Sequence, residues 1–368
     1  MKILHICQFL GIGGLEKVLY LLIKEQIEFG HDVSIVVYDW EKTWVDIFKQ
    51  LGIQVYDDYL KKDGYDFGLL DYLGAITQKY DILHTHDLNP MLYVGVLKLK
   101  NKVKLKSFPK VIHTTHGMEH IKEVPKTRLY EKFLAATADA IIGVSPAICN
   151  YYLKHTSANT NKVHSIDNGT PVNETLNIEK NINLKEKLFS DFKLKTNLET
   201  YVYVARVVPL KDQKILIDVF SKLENKQLLL VGPSGNKEYW DEINNHKFQN
   251  ISIIGAQENI NDILMCCDVY ISPSHHEGLP ISVLEASAIG LPCILSDIPG
   301  HKTLTKFTDK EIALFFEVQN LEAIKKAIIL MQDKDLQERI KTNLHRVVLD
   351  NYSSKKMFKE YNKIYEAI

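Results

Sequence analysis

The sequence predicts two consecutive doubly wound α/β domains. Three observations lead there: a length of 368 residues, too great for one ordinary core; two series of short apolar runs alternating with amphipathic stretches; and a polar, charged interval over residues 174–199 between them.

In the first series Ile3–Cys7 reads as a strand, a glycine-bearing turn follows, and Leu15–Phe29 has helical periodicity ending at Gly30. Further strands are expected at Val33–Tyr38, Asp81–His86, Val111–Thr115, Ala140–Val144 and Val163–Ile166. Strands separated by helices imply a parallel sheet built from βαβ units. The interval Glu174–Glu199 has little strand character and reads as a linker with a leading helix. The second series comprises Tyr201–Ala205, Gln227–Val231, Ile251–Ile254, Val269–Ser272, Pro292–Ser296 and Ala313–Phe316. The expected domains are residues 1–175 and 195–345. The closing stretch, about 346–368, keeps amphipathic spacing around Tyr352 and Met357–Ile364 and is expected to return to the first domain. Ligands of such sheets bind beyond the carboxyl ends of the strands, so two facing sheets would frame one deep cleft.

Composition narrows the function. Apolar content of 45% and charged content of 25% are ordinary for a globular chain. A formal net charge of −1 gives no basic field to attract nucleic acid. The five cysteines, Cys7, Cys149, Cys266, Cys267 and Cys293, are odd in number and lack CxxC spacing, which predicts reduced thiols in the cytoplasm and no zinc site. The N-terminal apolar run is too short for a signal peptide, and no window is apolar enough for a membrane span. Only Arg128, Arg206, Arg339 and Arg346 are arginines among 45 basic residues, so an arginine at a special position carries weight.

Three stretches carry chemistry. Gly11-Ile-Gly13-Gly14-Leu-Glu16 lies between a strand and a helix, where backbone N–H groups can cradle a phosphate. Glu16 stands where a dinucleotide fingerprint needs a small residue, and Asp39 lies where an NAD enzyme keeps its ribose-binding acid. Taken alone, the loop reads more readily as a structural tight turn than as either site. Arg206 ends a strand and Lys211 follows on the same loop: two cations suited to clamping a diphosphate, arginine in bidentate fashion. Glu277-Gly278-Leu279-Pro280 turns into a helix holding Glu285. That turn offers free backbone donors beside the helix's positive end, and carboxylates there can accept hydrogen bonds from sugar and ribose hydroxyls. Glu277 and the Gly278–Pro280 turn could hold a sugar and Glu285 a ribose, the alternative for Glu285 being an exposed helix residue.

These motifs, in this order, resemble the retaining GT-B-fold glycosyltransferases of family 4, and the resemblance spans essentially the whole chain. It rests on Gly13–Glu16, Asp81-Ile-Leu-His84-Thr-His86, His116-Gly117, Asn168-Gly169, Arg206 with Lys211, and Glu277 with Glu285. The resemblance implies two Rossmann-like domains facing across a cleft and sugar transfer from a nucleotide-sugar, with UDP favoured by family frequency. It implies that Gly14 binds the diphosphate through its backbone and that Arg206 and Lys211 neutralise the leaving group. Glu277 would hold donor-sugar hydroxyls, Glu285 the ribose, and His116 would sit near the anomeric centre. The base would rest near Gly255–Ile260. No Asp-x-Asp motif occurs at the strand ends that carry these residues, which fits a metal-independent enzyme without cofactor, although His84, His86, His113 and His116 hold open a metal cluster.

The rivals are a nucleotide-sugar epimerase of the same architecture, a nicotinamide oxidoreductase resting on the glycine loop and Asp39, and a sugar-binding module. The acceptor is expected on the first domain and to be a glycan or lipid-linked glycan. Residues 98–110 contain Lys98, Lys100, Lys102, Lys104, Lys106 and Lys110 and no acid. They read either as a solvated connector or as a patch for anionic membrane at its cytoplasmic face.

Overall fold

The computed structural model describes residues 1–368 except 12, 118–124, 174–181, 246 and 280, together with the side chains of 125–127. Pro280 therefore lies outside the described residues. The chain divides into two compact units, residues 1–169 with 354–368, and residues 170–353.

The first unit holds β1 (Lys2–Cys7), β2 (Asp32–Val37), β3 (Gln54–Tyr56), β4 (Ile82–His86), β5 (Lys110–Thr115), β6 (Ala140–Gly143) and β7 (Val163–Ser165). They form a seven-stranded sheet in the order β3-β2-β1-β4-β5-β6-β7, parallel throughout. Helices cover both faces of such a sheet, so its strands read as continuous apolar runs; Ile3, Leu4, Ile6, Ile35, Val36 and Val37 are all fully buried. The order runs outward in opposite directions from β1 and β4, making their carboxyl ends the switch point where a ligand crevice opens. β3 went unanticipated: three residues at a sheet edge are too few to show a period.

The second unit holds β8 (Glu199–Val204), β9 (Lys226–Val231), β10 (Ile251–Ile253), β11 (Val269–Ser272), β12 (Cys293–Ser296) and β13 (Leu314–Phe316). Its six strands, also parallel, take the order β10-β9-β8-β11-β12-β13, with the switch point between β8 and β11. One core surrounds the sheet, built on Tyr201, Val202, Tyr203, Leu228–Val231, Val269–Ile271 and Cys293–Leu295.

Two expectations about boundaries are corrected. The helix Ile182–Asp191 belongs to the second unit, where Leu188 and Phe189 enter the core. The long helix Lys334–Asn351 stays there too, and Tyr352 is anchored by its hydroxyl to the Thr303 carbonyl (3.4 Å) and edge-on to Phe307. The return to the first unit begins at Ser354, not at 346. The helix Ser354–Ala367 docks on the helix Gly14–Glu28: Ser354 donates to Glu25 (2.6 Å), Asn362 is hydrogen-bonded to His31 (2.9 Å), and Phe358 packs against Phe29. The basic stretch also sits differently from the connector expected. Lys98, Lys100 and Lys102 ride the last turns of the helix Leu88–Val103, and only the residues beyond it connect to β5.

Candidate active site

In the first unit the glycine loop leaves β1 and the helix Gly14–Glu28 starts at Gly14, with Gly13 at the N-cap. Glu16 turns its carboxylate back to accept from the Gly11 amide (2.9 Å). Burial, with Glu41 and Asp87 nearby, raises the Glu16 pKa. A small residue at this position could not brace the loop in that way. Asp39 spends its carboxylate on Gln8 (2.8 Å) and the Trp40 amide (2.8 Å).

β1 and β4 lie in register with His5 opposite His84, and strand alternation puts His86 on the same face. Their rings form a continuous hydrogen-bonded chain. His116, just past β5, meets His86 (3.0 Å); His86 meets His5 (2.9 Å); His5 meets the Gln26 carbonyl (2.9 Å). Gln26 donates to the Tyr365 hydroxyl (2.9 Å), which meets His84 (3.0 Å), and His84 reaches Thr114 (2.8 Å). Burial lowers the His5 pKa to about 4 and those of His84, His86 and His116 as well, so all four are neutral near pH 7. Ligand nitrogens of His5, His84 and His86 come within 4.8 Å of one another, close enough for a metal. Both ring nitrogens of each are already hydrogen-bonded. His113 lies on the opposite face, with Thr85 (3.0 Å) and Thr115 (3.1 Å).

Asp87 follows His86 directly, at φ 63° and ψ 175°, a region that essentially only glycine occupies without strain. Its charge raises the His116 pKa, partly offsetting burial. The sequence reading missed it, because nothing in residue type betrays a backbone angle.

In the second unit the loop after β8 carries Arg206 and the turn Pro209–Lys211. Arg206 is exposed, and its guanidinium makes no ion pair among the described residues. Gly232, at φ 149°, closes against this loop: a Cβ there would lie 2.0 Å from the Ala205 carbonyl oxygen, so only glycine fits. The loop after β11 supplies Glu277, which accepts from Ser274 (2.6 Å) and pairs with Lys211 (2.5 Å). Ser274 is held by Tyr203 (2.6 Å), whose hydroxyl is pushed up by burial and by Glu277. His275 locks the two loops together, with its ring on Asp212 (2.8 Å) and its amide donating to the Leu210 carbonyl (3.0 Å).

Gly278 and Leu279 follow, and the helix Ile281–Ala288 carries Glu285, which is 5% exposed. Ile260 opens the short helix Ile260–Met265 after β10. Gly300, which the sequence reading passed over, packs its Cα against this turn: a Cβ would come within 2.4 Å and 2.5 Å of the Glu277 and Gly278 carbonyl oxygens. The signal was available in Pro299-Gly300, at a helix start beyond a strand's carboxyl end. Thus Arg206, Lys211, Glu277 and the Gly278 turn gather at one switch point, while Gly14 and His116 lie at the carboxyl edge of the other sheet.

Arg206 and the Lys211–Glu277 ion pair stand at the crevice of a parallel sheet. The family model "Glycosyltransferase Family 4" matches residues 12–174 and "Glycosyl transferases group 1" matches 185–346. The chain belongs to the family 4 glycosyltransferases. As a member it is a transferase of GT-B fold.

Among its relatives, the Escherichia coli UDP-Gal:alpha-D-GlcNAc-diphosphoundecaprenol alpha-1,3-galactosyltransferase is 24% identical over 302 residues, covering 78% of this chain and 76% of that one. The N-acetyl-alpha-D-glucosaminyl L-malate synthase of Bacillus anthracis is 22% identical and covers 96% and 94%. Among solved structures, Anabaena HepE in complex with UDP and glucose superposes with a TM-score of 0.83 at 16% identity, covering all of both chains.

Proposed function

We propose that this glycosyltransferase moves a sugar from a UDP-sugar to a lipid-linked glycan with retention of anomeric configuration and without a metal. The observation that carries this reading is the switch point of the second sheet, where Arg206, which makes no ion pair among the described residues, stands with Lys211 and the Glu277 carboxylate on two interlocked loops. Departure of a nucleoside diphosphate leaves growing negative charge, and fixed cations stabilise that charge most when they are preorganised. Arg206 and Lys211 take that role and do in this chain what a divalent ion does elsewhere. Gly14 contributes a backbone amide at a helix N-terminus. Glu277 and the Gly278–Pro280 turn hold donor-sugar hydroxyls, Glu285 the ribose, and the segment up to Ile260 the base. His116 contacts the sugar near its anomeric carbon.

UDP and the lipid-diphosphate acceptor are favoured by the named reaction of the Escherichia coli relative and by the nucleotide bound to HepE. Among the described residues no helix is long and apolar enough to cross a membrane. A cytoplasmic enzyme meeting its acceptor at the membrane surface fits the segment after the helix Leu88–Val103. Val103 is 84% and Leu105 95% exposed, interleaved with exposed Lys102, Lys104 and Lys106. Lys98 is drawn aside by Asp139 (2.6 Å). Each lysine near an anionic surface contributes about 1 kcal/mol.

Thermal-shift screening tests the donor. A UDP-sugar at a hundredfold excess over its dissociation constant stabilises the fold by about 2.7 kcal/mol, and chelator leaves the shift intact. Stabilisation by NAD instead, or only after metal is added, contradicts the proposal.

A further inference from the structure

The histidine chain of the first unit has a direction, and that direction reaches His116. A neutral imidazole has one N–H and one bare nitrogen, so donating on one side forces accepting on the other. Gln26 presents its carbonyl oxygen to His5 Nε2 and its amide nitrogen to the Tyr365 hydroxyl. His5 must therefore carry its proton on Nε2, leaving Nδ1 bare. The bond from His5 Nδ1 to His86 Nε2 then requires the proton on His86 Nε2, and His86 Nδ1 is bare in turn. His116 Nε2 must donate to it. The other arm agrees. Tyr365, accepting from Gln26, donates to His84 Nδ1, and His84 Nε2–H donates to Thr114. Turning the Gln26 amide over would reverse the bonds from His5 to His86 and from His86 to His116 together, because neither can invert alone without setting two donors or two acceptors face to face in a buried interior, whereas the Tyr365 and Thr114 hydroxyls serve as donor or acceptor.

The geometry points to Gln26 and Tyr365 as positioning residues that fix the tautomer of His116 through His5 and His86, so that His116 meets its substrate with a bare Nδ1, a hydrogen-bond acceptor for a sugar hydroxyl. The inference rests on the reading that His116 contacts the donor sugar. That nitrogen has no hydrogen-bond partner among the described residues. Burial keeps the four rings neutral, which the relay requires, since an imidazolium donates on both sides and breaks the sequence. Tyr365 belongs to the helix that returns from the second unit's end of the chain, and it is buried against Gln26 and His84. A tyrosine near the last residue thus sets the proton position of a ring that lies some 250 residues earlier in sequence.

The test uses full-length enzyme labelled with nitrogen-15 in histidine, read by long-range proton–nitrogen correlation, with His116→Asn to assign the His116 signal. In the parent, His5, His84, His86 and His116 should all appear as the Nε2–H tautomer. Tyr365→Phe removes only a hydroxyl and Gln26→Met only the amide. In each, the His116 signal should become a mixture of tautomers. kcat should fall by about tenfold or more, as when an imidazole is held in the wrong tautomer, while the dissociation constant for UDP stays put. An Nδ1–H tautomer at His116 in the parent overturns the inference, and so does an unchanged His116 signal in both variants. If a variant misfolds, the parent spectrum still decides. The two layers separate cleanly: full turnover by His116→Ala would refute the contact with the sugar and leave the spectra standing.

Discussion

Lys211 and Glu277 form an ion pair of 2.5 Å, with side chains only 20% and 13% exposed. The cation proposed for the diphosphate is therefore already engaged with the carboxylate proposed for the sugar. At an effective dielectric of about 20, two charges at this separation attract by about 7 kcal/mol. Most of that is offset by the desolvation both groups suffer, leaving a charge-assisted bond of about 1.5–3 kcal/mol to be given up when a diphosphate draws on Lys211. Glu277→Gln removes the charge but keeps the shape and the ability to accept from Ser274. It should free Lys211, so that UDP binds about ten- to hundredfold more tightly, while transfer collapses for want of a sugar-holding carboxylate. Calorimetry with free UDP, beside turnover with the whole donor, reads both. Weaker UDP binding by this variant, or unimpaired transfer, would refute the competition and the role given to Glu277.

Arg206→Ala, removing an exposed guanidinium that makes no ion pair among the described residues, should leave the melting temperature in place and weaken UDP by about ten- to hundredfold; calorimetry again decides. Gly300→Ala drives a Cβ into two carbonyl oxygens of the Glu277–Gly278 turn, so it should cost about 1–3 kcal/mol of stability and displace the turn, seen as lower turnover in enzyme that still folds. Asp87→Gly should be more stable to urea than Asp87→Ala by about 1–2 kcal/mol, since both lose the carboxylate and only glycine accepts the backbone angle without strain. The buried histidines set a pH limit. Their folded pKa values lie below the ordinary 6.5, so stability is complete above that value and falls with pH as the unfolded chain gains protons first. His5 alone, at about 4, withdraws about 3 kcal/mol by pH 4, which urea unfolding from pH 7 to 4 would register.

Much of this was legible in the residues. Apolar runs bounded by turn residues placed β1, β2, β4 and the second sheet's strands, because both faces of a parallel sheet are buried and leave continuous signatures. The clustering of Arg206, Lys211 and Glu277 followed from their positions at strand ends. What escaped depends on the third dimension. Gly232 and Gly300 matter because of the atoms opposite them, and Asp87 because of its φ. The histidines of β4 left a metal cluster open as a string, and their hydrogen-bonded chain emerges only with the pairing to β1 and the return of Tyr365. The return point at Ser354 was read some residues early because the amphipathic pattern runs unbroken through Lys334–Asn351 into the last helix.

The central claim is acceptor-dependent, metal-free sugar transfer with retention. The measurement that reaches it most directly is proton NMR of a running reaction containing chelator, a UDP-α-sugar and a lipid-diphosphate-linked glycan acceptor. The account predicts that the donor's α-anomeric signal declines only when acceptor is present, while free UDP and an α-linked product rise in step. A β-linked product, a requirement for added metal, or conversion of the donor to an isomeric UDP-sugar without acceptor would contradict it.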